Sequence, residues 1–180
     1  MPVRRLPSAA YLRESFTYNR HTGILRWKRR PRRHFRTYKG WATWNANNAG
    51  QRAGNVNANG HRRVLINSTS FLEHRIIWMM MYFCDPPLTI DHKDGNRSNN
   101  RLSNLRSASE QQQKWNMKLR ADNRSGFRGV HPTGVRWLAR INIDGKYRHL
   151  GCFATKEGAA AAYEAVARKL HGEFYRRTGR

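Results

Sequence analysis

Ile90-Asp91-His92-Lys93-Asp94-Gly95-Asn96, then Asn99-Asn100, Leu102 and Asn104-Leu105-Arg106, then a polar run to Asn116, is the stretch on which the fold turns. Ile90 leads into two adjacent polar groups, so a strand ends on Asp91 and His92. Asp94-Gly95-Asn96 is a tight-turn sequence followed by an asparagine-rich loop. Asn104-Leu105 returns as a second strand, and the residues up to Asn116 close the unit as a helix, giving a ββα arrangement. Hydrolysis of a phosphodiester needs a base for water, a cation for the charge on the phosphorane and leaving oxygen, and a hold on the phosphate. His92 titrates in the range suited to the base. Asp91 is a hard oxygen ligand suited to magnesium, and a side-chain amide on the helix could complete the site. Taken alone, an Asp-His pair in a turn is more often structural than catalytic.

Upstream, residues 53–70 read as a hairpin. One strand ends near Val56, Asn59-Gly60 turns, and Arg62–Ile66 returns. A helix follows from Leu72 to Phe83, with Glu73 at its positive end and Pro86-Pro87 stopping it. Its run Ile76-Ile77-Trp78-Met79-Met80-Met81-Tyr82-Phe83 has the length of a core helix, not of a membrane span. Residues 9–28 begin as a helix with Tyr11, Leu12 and Phe16 on one side. They turn through Asn19–Gly23 and end in a strand, Ile24–Trp27. Residues 28–52 read as a long, poorly ordered basic loop, with Arg29, Arg30, Arg32 and Arg33 set to contact a DNA backbone and Trp41 and Trp44 as wedges or stacking platforms.

The chain of 180 residues has a formal net charge of +24, a pI of about 11.5 and 38% hydrophobic residues. Such an excess calls for a polyanionic partner, with nucleic acid first because neutralised phosphates release counterions. Met1 to Leu12 is basic but has no continuous apolar stretch, which argues against a signal peptide. Cys84 and Cys152 form no Cys-x-x-Cys pair, which argues against a cysteine zinc site or a disulfide framework. They are expected as two small buried residues.

The order, spacing and flanks of the 90–106 motif, with His74-Arg75 and its apolar helix and the Tyr18 to Trp27 stretch, resemble the HNH homing endonucleases of phages and group I introns over residues 9–120. The resemblance implies His92 as general base and Asp91 as the metal-binding acid. It implies Asn104 as the middle letter of the motif, bracing the two strands and holding His92. The third letter falls on Gln113 where the family has Asn or His. Gln113 carries the same amide oxygen on a longer arm and is the first choice for second metal ligand, with Asn116, one turn on at i+3, in reserve. Asn96, Asn99 and Asn100 are expected to satisfy backbone groups of the turn, Asp94 to belong to the turn, and His74 to pack or cap.

Past a polar linker, residues 121–126, the pattern changes. Strands are expected at Phe127–His131, Arg136–Ile143 and Tyr147–Phe153, with turns at Gly134 and Asp144-Gly145. A helix follows from Lys156 to about Leu170, capped by Thr155. Ser125-Gly126-Phe127-Arg128-Gly129-Val130, Arg136–Ile141, Leu150–Phe153 and Ala159–Tyr163 resemble the AP2/ERF (APETALA/ethylene-response-factor) DNA-binding domain. That resemblance implies a sheet laid in the major groove, with Arg128, Arg136, Trp137, Arg140 and Arg148 as DNA contacts. Period two puts Arg136, Leu138, Arg140 and Asn142 on one face of the middle strand and Trp137, Ala139 and Ile141 on the other. Which of Trp137 and Leu138 faces outward stays open at this point.

The expected fold is α+β: a ββα-metal nuclease domain over residues 1–120, a linker at 121–126, and a small three-stranded antiparallel sheet packed on one helix over 127–176. The expected function is a DNA endonuclease of homing type that nicks or cleaves duplex DNA, with magnesium or manganese as cofactor. It would be a monomer working on double-stranded DNA in the cytoplasm of a bacterial or phage-infected cell. The alternatives are a non-catalytic DNA-binding regulator descended from such an enzyme, to which the glutamine at 113 points, and an RNA-binding protein.

Overall fold

Ser8 caps the first helix, α1 (Ala9–Ser15), its hydroxyl accepting from the Tyr11 N–H at 3.2 Å. The structure, a computed structural model, describes residues 5–176; the first four residues of the expected nuclease domain lie outside them. Phe16 does not extend the helix as the sequence suggested. It opens β1 (Phe16–Asn19), paired antiparallel with β2 (Ile24–Trp27) in the register Phe16↔Trp27 to Asn19↔Ile24. Phe-Thr-Tyr is strand-favouring, and pairing sets the Phe16 and Trp27 rings 4.2 Å apart in the core.

The expected basic loop is instead structured. After a single 3-10 turn at Arg32–His34, Thr37 caps α2 (Tyr38–Asn48) by accepting from the Gly40 N–H at 3.1 Å. Tertiary contacts override the poor helix propensity of this Asn- and Gly-containing segment. The buried Asn45 accepts from Arg30 N at 2.8 Å and donates to Arg30 O at 3.1 Å, and the Trp41 indole also donates to Arg30 O, at 2.8 Å. Trp44 meets Trp27 edge-on at 4.8 Å.

The strands β3 (Asn55–Val56), β4 (Arg62–Ile66) and β5 (Thr69–Leu72) form an antiparallel meander in that order. The third strand was unread in the sequence because Asn67 and Ser68, both at positive φ, make a tight turn without glycine. Next, α3 (Glu73–Tyr82) buries Ile76, Ile77, Met79 and Met80 against Leu12, Phe16, Leu25, Val64 and Ile66. Below it β6 (Ile90–His92) pairs with β7 (Leu105–Ser107).

The chain divides into two compact units, Met1–Ala108 and Ser109–Arg180. The division falls before the helix α4 (Glu110–Asn116). The reason is local. Trp115 of α4 stacks on His171 at 4.2 Å, and the Arg128 guanidinium donates to the carbonyl oxygens of Lys114 (3.0 Å) and Met117 at the end of the helix. The rest of this unit is the sheet β8 (Val130–Thr133), β9 (Arg136–Ile143) and β10 (Lys146–Phe153), ordered β10-β9-β8, with α5 (Lys156–His171) packed on it. Ala139, Ala159 and Ala167 are fully buried. Gly129, at φ +69°, lets the helix come close: a Cβ there would sit 2.3 Å from the Tyr163 ring and 2.5 Å from Arg140 O. The fold is α+β with small antiparallel sheets, as the sequence implied. Both cysteines are exposed, against expectation: Cys84 lies just past the end of α3, and Cys152 pairs with Leu138 on the outward face of the sheet.

Candidate active site

The site is built on the β6–β7 pair. Its register, Asp91↔Arg106 and His92↔Leu105, sets a carboxylate directly opposite a guanidinium. Asp91 Oδ2 accepts from Arg106 Nε at 2.9 Å and Nη2 at 2.8 Å, and both residues are buried. Two charge-assisted bonds converge on that oxygen, and burial strengthens each of them.

The connecting loop is held by its own side chains. Gly95 N–H donates to His92 O at 2.7 Å. Asp94 accepts from Asn96 N (2.8 Å), Asn104 Nδ2 (3.0 Å) and Asn99 Nδ2 (2.6 Å). Asn104 also accepts from Asp94 N at 3.0 Å and donates to Asn99 O at 2.8 Å. Those bonds hold the Asp94 carboxyl below its usual range, although partial burial opposes them. Asn104 thus lies across the loop that follows His92, and Asp94 is a turn residue.

His92 is 3% exposed, and its Nε2 lies 2.9 Å from Asn100 Oδ1. An amide oxygen accepts, so Nε2 carries the proton and the lone pair of the neutral ring is on Nδ1. Burial pulls the His92 pKa below its usual value, against the raising effect of Asn100 and of the Asp94 and Asp91 charges. Asn100, 1% exposed, is itself fixed: its carbonyl accepts from the Tyr18 hydroxyl at 2.8 Å. Burial raises that phenol to about 12, so it stays a donor. The turn between β1 and β2 rests on the same backbone, for a Cβ on Gly23 (φ +72°) would lie 2.5 Å from Arg101 N.

Two more histidines surround His92. His74, in the first turn of α3, is 4% exposed, and His61 stands just before β4. Ring centroids are 5.1 Å apart for His74–His92, 5.3 Å for His61–His74 and 5.8 Å for His61–His92. Burial lowers His61 to about 4 and His74 to about 2, with the neighbouring imidazoles adding to it. The loop is tied to this side by Ser98 Oγ donating to Gly60 O at 2.8 Å and Arg97 to Asn59 O at 3.0 Å.

Asp91, His92 and Asn104 are therefore gathered in one place. Gln113 is exposed and Asn116 buried on α4, in the second unit. Sequence reasoning gave Asn100 to the turn and His74 to packing or capping, and gave Arg106 and His61 no role. Arg106 could be found only from strand register, and Asn100 resembled every other turn asparagine.

The expected DNA contacts stand in different settings. Arg30 is 4% exposed, its guanidinium 4.7 Å from the Phe35 ring centroid and 4.9 Å from that of Trp44, donating to Tyr11 Oη and Asn67 Oδ1. Arg29 is exposed over Trp41; exposed Arg33 pairs with Glu14, and exposed Arg32 donates to the Phe35 and Arg36 carbonyls. Arg128 is engaged by the carbonyls ending α4. Trp137 packs toward α5 with Val130, Ala139 and Ala159, which settles the strand ambiguity with Leu138 outward. Arg148 pairs with Ile141 and so lies on the helix side of the sheet, at an edge strand. Arg136 and Arg140 are on the outward face, Arg140 stacked 4.6 Å from the Tyr147 ring.

Residues 71–114 match the family model described as HNH endonuclease. The chain is similar to Protein 3.8 of Escherichia phage T7, 37% identical over 89 residues, which is 48% of this chain and 73% of that protein. It is also similar to a protein of Acanthamoeba polyphaga mimivirus named uncharacterized HNH endonuclease L560, 33% identical over 103 residues, 56% of this chain and 54% of the relative. No solved structure matches. The family match ends before the β8–β9–β10 sheet.

Proposed function

The chain belongs to the HNH endonuclease family through residues 71–114, and from that premise we propose that it is a metal-dependent endonuclease that hydrolyses a phosphodiester of duplex DNA. The observation that carries the reading is a buried, neutral His92 with its tautomer set by Asn100, one residue from the oriented carboxylate of Asp91. His92 Nδ1 takes the proton of the attacking water. Arg106 holds Asp91 in place, and Asn104 and Asp94 hold the loop that carries Asn100.

Asp91 suits a hard divalent cation as a buried oxygen donor, and the family resemblance assigns the second protein ligand to Gln113 or, in reserve, Asn116. Bound there, magnesium or manganese would stabilise the charge on the phosphate and the leaving oxygen. Arg29, Arg32 and Arg33 offer charge to the backbone, and the outward face of β8–β10, with Arg136 and Arg140, supplies sequence recognition in the manner of the AP2/ERF domain it resembles. The expected state is a monomer. With one such site among the described residues, one encounter nicks the duplex, and a double-strand break takes a second molecule or a repeat visit.

The test is nicking of supercoiled DNA carrying the gene's own flanks, with magnesium and then with a chelator. His92→Ala is expected to lower the rate by about 10²–10⁴ while leaving DNA binding intact. Binding without cleavage by the wild type would overturn the nuclease reading and leave the DNA-binding regulator, the reading that exposed Gln113 favours.

A further inference from the structure

The three imidazoles are not accounted for by the nuclease chemistry, which uses His92 alone. One ring nitrogen from each of His61, His74 and His92 lies within 4.8 Å of the others. The Nδ1 atoms of His61 and His74 are shielded from solvent without a hydrogen-bond partner. A buried polar atom left unpaired costs about 1–3 kcal/mol, so these atoms accumulate in one place only if something else satisfies them. Core packing does not explain them, since three apolar rings would fill the same space without that cost.

We propose that His61, His74 and His92 form a binding site for a borderline transition-metal ion of the zinc class, separate from the oxygen site at Asp91. Neutral imidazole nitrogens select zinc, cobalt, nickel or copper, whereas magnesium and calcium take oxygen ligands. Tetrahedral coordination at about 2.0–2.1 Å places donor nitrogens about 3.3 Å apart, which small side-chain rotations from the observed spacing reach. His92 already makes the second contact expected of a ligating imidazole, its other N–H donated to Asn100 Oδ1. His61 and His74 come from neighbouring elements, the β3–β4 turn and the start of α3, and the two bonds from Arg97 and Ser98 lock the 93–104 loop to that turn.

The site has a consequence that rests on the nuclease reading. An ion there takes the lone pair that His92 needs as base, so zinc-class metal and magnesium-supported cleavage exclude each other.

The experiment is titration of the full-length, metal-free protein with cobalt(II), read by visible absorption. One equivalent is expected to give the intense d–d bands of four-coordinate cobalt, displaced by one equivalent of zinc and unaffected by a hundredfold excess of magnesium. His61→Gln and His74→Phe, each checked for fold by circular dichroism, are expected to weaken cobalt binding at least tenfold. His149→Gln, on the outer face of the sheet, keeps it. Weak octahedral bands only, displacement by magnesium, or unaltered bands in both folded variants would overturn the site. In a nicking assay zinc is expected to inhibit the wild type more strongly than His61→Gln, and equal inhibition overturns the exclusion. Cobalt bands in a protein that cuts no DNA would uphold the metal site while removing the nuclease reading, so the two fail separately.

Discussion

At the scale of single residues, the site depends on a few bonds that no local pattern announces. His92 and Asp91 were legible as a pair of chemically capable side chains. Asn100 and Arg106 were not, because one acts through a bond closed by loop geometry and the other through a cross-strand register eight and fifteen residues away. Asn100 makes a sharp prediction. Burial already lowers the His92 pKa, and the Asn100 acceptor opposes that by favouring the protonated ring. Asn100→Ala removes the opposition, so His92 titrates lower still and the acid limb of the nicking rate moves to lower pH. The plateau rate falls as well, since the ring loses its orientation. Asn100→Asp restores an acceptor with charge and moves the limb the other way. A pH–rate profile unchanged in both variants would reduce Asn100 to a turn residue. Arg106→Met removes the guanidinium that faces the buried Asp91 carboxylate, which is expected to cost up to about 3–5 kcal/mol; urea unfolding measures it, and Asp91→Asn in the same background should recover part of the loss.

At the scale of elements, the segments with strong periodicity or plain turn chemistry were legible: α3, the β3–β4 hairpin, β9, β10 and α5. The helix α2 was not, because its residues are poor helix formers that acquire order only from Arg30, Trp27 and Trp44. Where elements touch, glycine marks the contact. Gly23→Ala is expected to destabilise the first unit by about 2 kcal/mol or more, combining left-handed backbone cost with a clash against Arg101 N, and to slow nicking because the same backbone carries Asn100. Stability unchanged by calorimetry would show that the hairpin does not brace the loop. The elements carrying His61 and His74 also set an acid limit. Both groups have folded pKa values below the unfolded 6.5, so the unfolded state binds more protons and stability falls as pH drops from about 6.5 toward 4. The slope is at most about 1.4 kcal/mol per pH unit for each histidine. Glu73, raised by burial to about 7, has the opposite sign: its contribution is present below 4.5 and lost as pH rises through 7. Comparing His74→Phe with the wild type in chelator cancels Glu73, and the variant's stability should fall less steeply between pH 6.5 and 4.

At the scale of the whole molecule, charge was the most legible property and the least specific. A net charge of +24 implies a polyanion but does not say which arginines meet it: Arg30 is buried, and the Arg128 guanidinium donates to the Lys114 carbonyl. What the sheet leaves on its outward face is narrower: Arg136 and Arg140 on the middle strand, flanked by His131, Leu138 and His149. Phosphate contacts and base contacts separate experimentally. Each phosphate contact removed lowers the slope of log affinity against log salt by about 0.9 and weakens all duplexes alike. Each arginine removed from a guanine edge costs about 1–3 kcal/mol on the cognate sequence and little elsewhere. Arg136→Gln with Arg140→Gln is expected to reduce preference for the gene's own flanks over unrelated duplex by one to several factors of ten, at nearly constant salt slope. Arg32→Gln with Arg33→Gln, in the first unit, is expected to do the reverse, because exposed arginines with no groove-reading strand behind them can offer only charge. If the sheet variant instead lowers the slope by about two contacts and leaves the preference intact, the C-terminal unit anchors the protein on any duplex, and the choice of site must then lie with residues of the first unit.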